Sequence, residues 1–206
     1  MADHLRYAGL PHDTQRDALA AIIRASPLLI EVLEGLRADG LPDHLLVAGA
    51  IYNLVWNRLT GRPDLTGIND IDVFYHDASD LSWDAEDAVI RRLAARFAHL
   101  PLPVQVRNQA RVHLWFPQKF GMPFEPLASS AQMLGRYASK AHAVGARLEP
   151  DDTLTIVAPF GLDDNFAFRI APNPVLANKK AHEAKAARAR SVWPEITVEP
   201  WPDDAP

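Results

Sequence analysis

Val47-Ala-Gly-Ala-Ile-Tyr-Asn-Leu-Val-Trp56 and, past a polar loop, Ile68-Asn-Asp-Ile-Asp-Val-Phe-Tyr75 are the stretches that decide the fold. The first begins in the short apolar run His44 to Ala48, fit for a buried strand, and continues after Gly49 with Ile51, Leu54 and Val55 at helical spacing through Leu59. In the second, Ile71, Val73 and Tyr75 alternate with Asp70, Asp72 and Phe74, which is the period of a strand. Strand, glycine turn, helix, loop and strand therefore follow one another. Upstream, Leu19, Ile22, Ile23, Leu29, Val32, Leu33 and Leu36 predict two helices over 14–39, divided at Ser26-Pro27 and closed by Gly40. Downstream, Asp84 to Leu100 predicts a helix with Val89, Ile90, Leu93 and Phe97 inward. Val104 to Val106 and Arg111 to Phe116 are expected to be two strands joined through Asn108-Gln109, with a later strand at Thr153 to Val157. Alternating elements predict an α+β (α/β) fold, a mixed β-sheet covered by helices.

The organisation expected is one domain over residues 1–192, with helices at 14–39, a sheet core at 44–170 and a C-terminal helix at 174–192. A proline-rich tail, 193–206, follows and either packs through its tryptophans or stays loose. Twenty-one basic against 26 acidic residues in a chain of 206 leave a charge of −5, which disfavours long nucleic acid and anionic membranes as partners. The absence of cysteine excludes disulfide scaffolds, zinc ribbons, iron–sulfur clusters and thiol nucleophiles. No stretch approaches the roughly 20 apolar residues of a membrane span, and no signal peptide is visible at the start, so the expectation is a cytoplasmic protein.

Residues two apart on a strand share a face, so Asp70 and Asp72 present two carboxylates side by side. Such a pair repels itself unless a cation joins it, and a carboxylate pair plus substrate phosphates is the usual way to hold Mg²⁺. Mg²⁺ or Mn²⁺ on Asp70 and Asp72 is the expected cofactor, against the plainer reading of a solvated strand edge. The turn at Gly49-Ala50 opens a helix whose N–H groups and positive end could cradle a triphosphate, although Gly49 also serves as a mere tight turn. Asn108, Arg111 and His113 form a polar set. Arg111 could clamp a phosphate and His113 could carry a proton, or the three could be a structural hydrogen-bonded network. The Lys179 to Arg190 helix, with five cations against Glu183, reads as a solvated face or a phosphate contact. No Walker loop, serine triad or H-E-x-x-H occurs.

A glycine turn at a helix start followed by a D-x-D strand resembles the DNA-polymerase-β-type nucleotidyltransferase superfamily. Ile68 to Tyr75, Val106 to Trp115 and Ala158-Pro-Phe-Gly-Leu-Asp-Asp164 resemble an uncharacterised bacterial nucleotidyltransferase-like group within it. The resemblance implies a polymerase-β-like fold, an NTP as one partner and an unidentified acceptor as the other. It also implies transfer of a nucleoside monophosphate to an acceptor hydroxyl, with Asp70 and Asp72 as the metal-holding catalytic carboxylates; on the residues alone, Arg111 and His113 are candidate catalytic residues and Gly49, Ala50 and Asn108 candidate nucleotide contacts. Three positions depart from the superfamily pattern: Ala50 stands for Gly or Ser, 19 residues separate Ala50 from Asp70, and Gln105 occupies the place of a third carboxylate. Asp163 or Asp164 would be the distant substitute. The alternative is a nucleotide- or metal-binding module without turnover, a sensor or protein partner.

Overall fold

The computed structural model describes residues 3–205. Two helices, α1 (His12–Arg24) and α2 (Pro27–Asp39), meet where Ser26 accepts a hydrogen bond from the Leu29 amide and Pro27 takes the first helical position. β1 (Leu45–Val47) runs into α3 (Gly49–Thr60), then β2 (Ile71–Tyr75), α4 (Trp83–Arg96) and β3 (Val104–Asn108). After a 3₁₀ turn at Gln109–Arg111 come α5 (Val112–Phe120), α6 (Ser130–Leu134), β4 (Gly145–Leu148) and β5 (Leu154–Val157). The chain ends with α7 (Asp163–Phe166), β6 (Arg169–Ile170), α8 (Lys179–Val192) and β7 (Thr197–Val198).

Five strands form one mixed sheet in the order β3-β2-β1-β4-β5. β2 and β3 are parallel, joined by the α4 crossover, and the other neighbours are antiparallel. The α+β expectation therefore holds. Leu46, Ile71, Val73, Tyr75 and Val106 face the main core, where they meet Leu33, Ile51, Leu54 and Leu93 from the helices. Leu45, Val47 and Phe74 face the other way and meet a smaller cluster with Leu134 and Ala143. In the β1/β2 ladder Val47 lies opposite Asp72 and Leu45 opposite Phe74. Asp72 thus belongs to the thinly covered face of the sheet.

The segment Arg111 to Phe116 is not a strand. Asn108 ends β3 by accepting the Ala110 amide with its side chain, which turns the chain into the 3₁₀ turn and α5. Val112 and Phe116, four apart, are buried while Leu114 is exposed, so the apolar spacing there is helical. β4 and α6 lack a strong sequence signal. Beyond α8, Trp193 and Ile196 lie in the main core and β7 pairs with β6, so the start of the proline-rich segment is packed onto the domain. Among the described residues no helix is long and apolar enough to cross a membrane.

Candidate active site

β1 and α3 are joined by a sharp turn whose strain falls on Ala48, at φ 58° and ψ −123°, backbone space that favours glycine. Gly49 has ordinary backbone angles. A Cβ added there would meet only Asn53 Nδ2 at 3.7 Å and Tyr52 Oη at 3.9 Å, so folding does not require the glycine and its bareness leaves open space. No side chain caps α3 and its first turn carries no acidic residue. The Ile51 and Tyr52 amides donate to the Ala48 carbonyl, which leaves the Gly49 and Ala50 N–H groups and the positive dipole end available to an anion. The Ala50 side chain is buried in the core, so only its backbone can take part.

The long loop before β2 is held by Asn57, fully buried, whose amide donates to the carbonyls of Asp64 and Thr66 and whose oxygen accepts from Trp193 Nε1. Gly67, at φ +72°, lies under the Trp193 ring, where a Cβ would come within 2.5 Å of it. Its carbonyl accepts from Asn53 Nδ2 and from Arg188. This clamp delivers Asn69 and Asp70 to the start of β2. Gln105 pairs with Asp72 across the β2/β3 ladder, and its Nε2 donates to Asp70 Oδ2 at 2.7 Å.

Ala48, Gly49, Tyr52, Asn53, Gly67, Asn69, Asp70, Asp72, Lys185, Arg188 and Trp193 line a single cleft of about 220 Å³. Burial first, and then the Asp70 charge, push the Asp72 carboxyl up to about 6 against the opposing charges of Lys185 and Arg107. Burial also lowers the Lys185 ammonium, which the two aspartates support and Arg188 opposes. Lys185 Nζ lies 5.6 Å from the Tyr137 ring centroid, and burial drives the Tyr52 and Tyr137 phenols upward. Two carboxylates, two cations and an uncapped helix end therefore share one cleft.

The structure separates the remaining predicted site residues from this cleft. Asn108 stands opposite Tyr75 at the far end of the ladder, four residues and about 13 Å of strand from the level of Asp70 and Ile71. Its side chain accepts the Asp77 and Ala110 amides and donates to the Asp77 carbonyl. Arg111 pairs with buried Glu86 and donates to the Leu81 carbonyl, and His113 follows on α5. None of the three lines the cleft. Their separation follows from the helical turn that replaces the expected strand. Asp163 accepts from the Gly9 amide and Gln15, and Asp164 from Arg169, so neither supplies a substitute carboxylate. Sequence reading missed Lys185, Arg188, Tyr52, Asn53 and Asn69 as neighbours of the aspartates. The one signal available was the cluster of cations on α8.

The two aspartates suit a hard divalent cation: both are oxygen donors, and among the described residues none donates a hydrogen bond to Asp72 that would stabilise its charge. Among the described residues no group of three or more His, Cys, Asp or Glu side chains stands ready for a metal. Any ion held here rests on two carboxylates plus groups brought by a ligand.

A family described as nucleotidyltransferase matches residues 34–198, and the chain belongs to it. The fold is similar to a solved structure titled as revealing a CCA-adding enzyme head domain. The identity is 22%, the TM-score 0.72, and the match covers 90% of this chain and 96% of that one. A structure titled as a tRNA-processing enzyme complex is 17% identical with a TM-score of 0.50. It is matched over 82% of this chain, which spans only 43% of its length. Among curated proteins no match is found.

Proposed function

We propose that the protein transfers a nucleoside monophosphate from an NTP to an acceptor hydroxyl, with Asp70 and Asp72 holding Mg²⁺ or Mn²⁺, in a cytoplasmic setting where NTPs are the ready donors. The observation that carries this reading is the meeting, in one cleft, of the aspartate pair, the uncapped end of α3 and the cations of α8. The bound ion would supply Lewis-acid charge to the phosphate oxygens. The amides of Gly49 and Ala50 receive the triphosphate at the helix end, where the lack of a side chain on Gly49 lets the phosphate approach. Lys185 and Arg188, which line the same cleft, balance its charge. The acceptor oxygen bonds to the α-phosphorus, the bond to the bridging oxygen breaks, pyrophosphate leaves and the hydroxyl proton passes to solvent. Arg111, His113 and Asn108 act on the reaction only through the framework that holds β2 and β3.

A second reading, nucleotide or metal binding without turnover, is favoured by one contact. Gln105, whose amide faces Asp70, cannot serve as a general base. Thermal unfolding of the wild type and of Asp70→Asn/Asp72→Asn, with Mg²⁺ or Mn²⁺ and each NTP, tests both. Ligand at about 100 times its Kd adds roughly 2.7 kcal/mol, or about 5–10 °C at this size. Such a shift in the wild type alone supports the site. Label transfer from α-labelled NTP to acceptors then separates transfer from binding, and no shift with any pair overturns both readings.

A further inference from the structure

We propose that this cleft is built for one divalent cation, with Lys185 supplying the second positive charge and Gln105 closing the place of a second ion. The inference rests on the aspartates being the metal ligands, as proposed above, and fixes how many ions they take. Its first support is charge. Asp70 and Asp72 carry two negative charges, which balance one divalent ion in the nucleotide-free cleft; a second ion there would leave the cleft in excess positive charge even before the cations of α8 are counted. Those cations are already inside. Lys185 and Arg188 line the same cleft, and the Lys185 charge acts directly on Asp72 and Asp70.

The second support is the contact made by Gln105. Its Nε2 donates to Asp70 Oδ2 at 2.7 Å, in the range of a charge-assisted bond, and so occupies the lone pair that faces β3. The side chain reaches this point because Gln105 stands directly across the parallel ladder from Asp72. A cation approaching Asp70 from the β3 side meets an N–H donor instead of an oxygen. Gln105 is exposed, so its identity is free of packing demands and a carboxylate would fit in its place. The fold therefore supports a three-carboxylate cleft, and this sequence builds a two-carboxylate cleft with a lysine.

Titration of the full chain with Mn²⁺, followed by calorimetry and by the loss of the free-ion paramagnetic resonance signal, reads the number of ions directly. The wild type should take one Mn²⁺ per chain. Gln105→Glu should bind a second Mn²⁺ or tighten the first about tenfold or more, and Lys185→Met should tighten it by a similar factor through loss of a like charge. Thermal unfolding without metal shows that each variant is folded. Two ions on the wild type, or Gln105→Glu and Lys185→Met both indistinguishable from it, would overturn the inference while leaving the nucleotidyltransfer reading standing. Absence of any Mn²⁺ binding that Asp70→Asn/Asp72→Asn removes would overturn both.

Discussion

Replacing Asp72 by asparagine should make the metal-free protein more stable. The Asp72 carboxyl rises from its ordinary 3.8 to about 6, chiefly because burial removes water from its charge and secondarily because Asp70 repels it. A carboxylate whose folded value lies above its unfolded value weakens the fold wherever it is ionised. The penalty is absent below pH 3.8, grows as pH rises toward 6, and is complete above 6. At about 1.4 kcal/mol per pH unit the displacement amounts to about 3 kcal/mol, of which asparagine, equal in size and uncharged, should recover about 2–3 kcal/mol. For a domain of this length that is a rise in Tm of about 5–10 °C. Scanning calorimetry in EDTA at pH 7.5 and at pH 3.5 reads the effect: the variant should melt higher at 7.5 and level with the wild type at 3.5. Saturating Mg²⁺ with nucleotide should reverse the order at pH 7.5, because only the wild type gains a ligand. A variant no more stable than the wild type at pH 7.5, or a difference that persists unchanged at 3.5, would refute the account of Asp72 as a strained, unpartnered charge.

Gly49→Ala should fold with stability within about 1 kcal/mol of the wild type, since its Cβ meets only ordinary contacts, yet lose the thermal shift given by NTP with metal; a retained shift would remove Gly49 from the phosphate path. Gly67→Ala should lose about 2–3 kcal/mol in urea denaturation, because the new Cβ overlaps the Trp193 ring at a positive φ. Arg111→Ala should cost about 3–5 kcal/mol by leaving Glu86 buried without its partner, while Mn²⁺ binding by the folded protein stays unchanged; a selective loss of binding would return Arg111 to the site. Burial, with the Lys185 and His182 charges, holds His142 down to about 3, so below pH 6.5 the unfolded chain takes up a proton that the folded one refuses. Stability should then fall by up to about 1.4 kcal/mol per pH unit from this group between pH 6.5 and 3, and His142→Gln should flatten that slope in denaturation curves at pH 7.5, 6 and 5.

The β1 to β2 region was legible because its signals are local. A period of two places Asp70 and Asp72 on one face whatever surrounds them, and apolar spacing gives α3 its inner stripe. Between Arg111 and Phe116 the pattern is ambiguous: Val112, Leu114 and Phe116 alternate, but Val112 and Phe116 are also one helical turn apart. Tertiary packing chooses the helix, burying these two and leaving Leu114 outside. The strained residue, Ala48, was hidden for another reason, since alanine in glycine-like backbone space announces nothing in sequence. Least legible was the positive wall. Lys185 lies on an alanine- and lysine-rich helix whose exposed faces look alike in sequence, and its neighbour Asp72 is over a hundred residues away. The docking of Trp193 onto Asn57 and Trp56, with Ala186 and Ala189 in the core and Arg188 on the Gly67 carbonyl, turns that face of α8 toward the carboxylates.

The same docking bears on why the cleft is more than an irregularity of the fold. Ala48 holds strained backbone, α3 begins without a side-chain cap, Asp72 is ionised at a burial that opposes it, and the Lys185 ammonium stands in the cleft beside the Tyr137 ring. Each feature alone is a modest loss of stability that a neighbouring polar side chain could relieve. Elsewhere the chain relieves some such losses, with Ser26 capping α2, Ser82 capping α4 and Glu86 meeting Arg111, although α1, α5 and α8 also begin without a side-chain cap. In the cleft the Gln105 amide on Asp70 and the Lys185 and Arg107 charges near Asp72 relieve only part of these losses. An anion with a divalent cation would answer the rest together, the anion satisfying the helix end and Lys185, the cation joining Asp70 to Asp72. A single ligand with that charge distribution is a metal-bound polyphosphate, which is why the stability experiments on Asp72 and Gly49 are also tests of function.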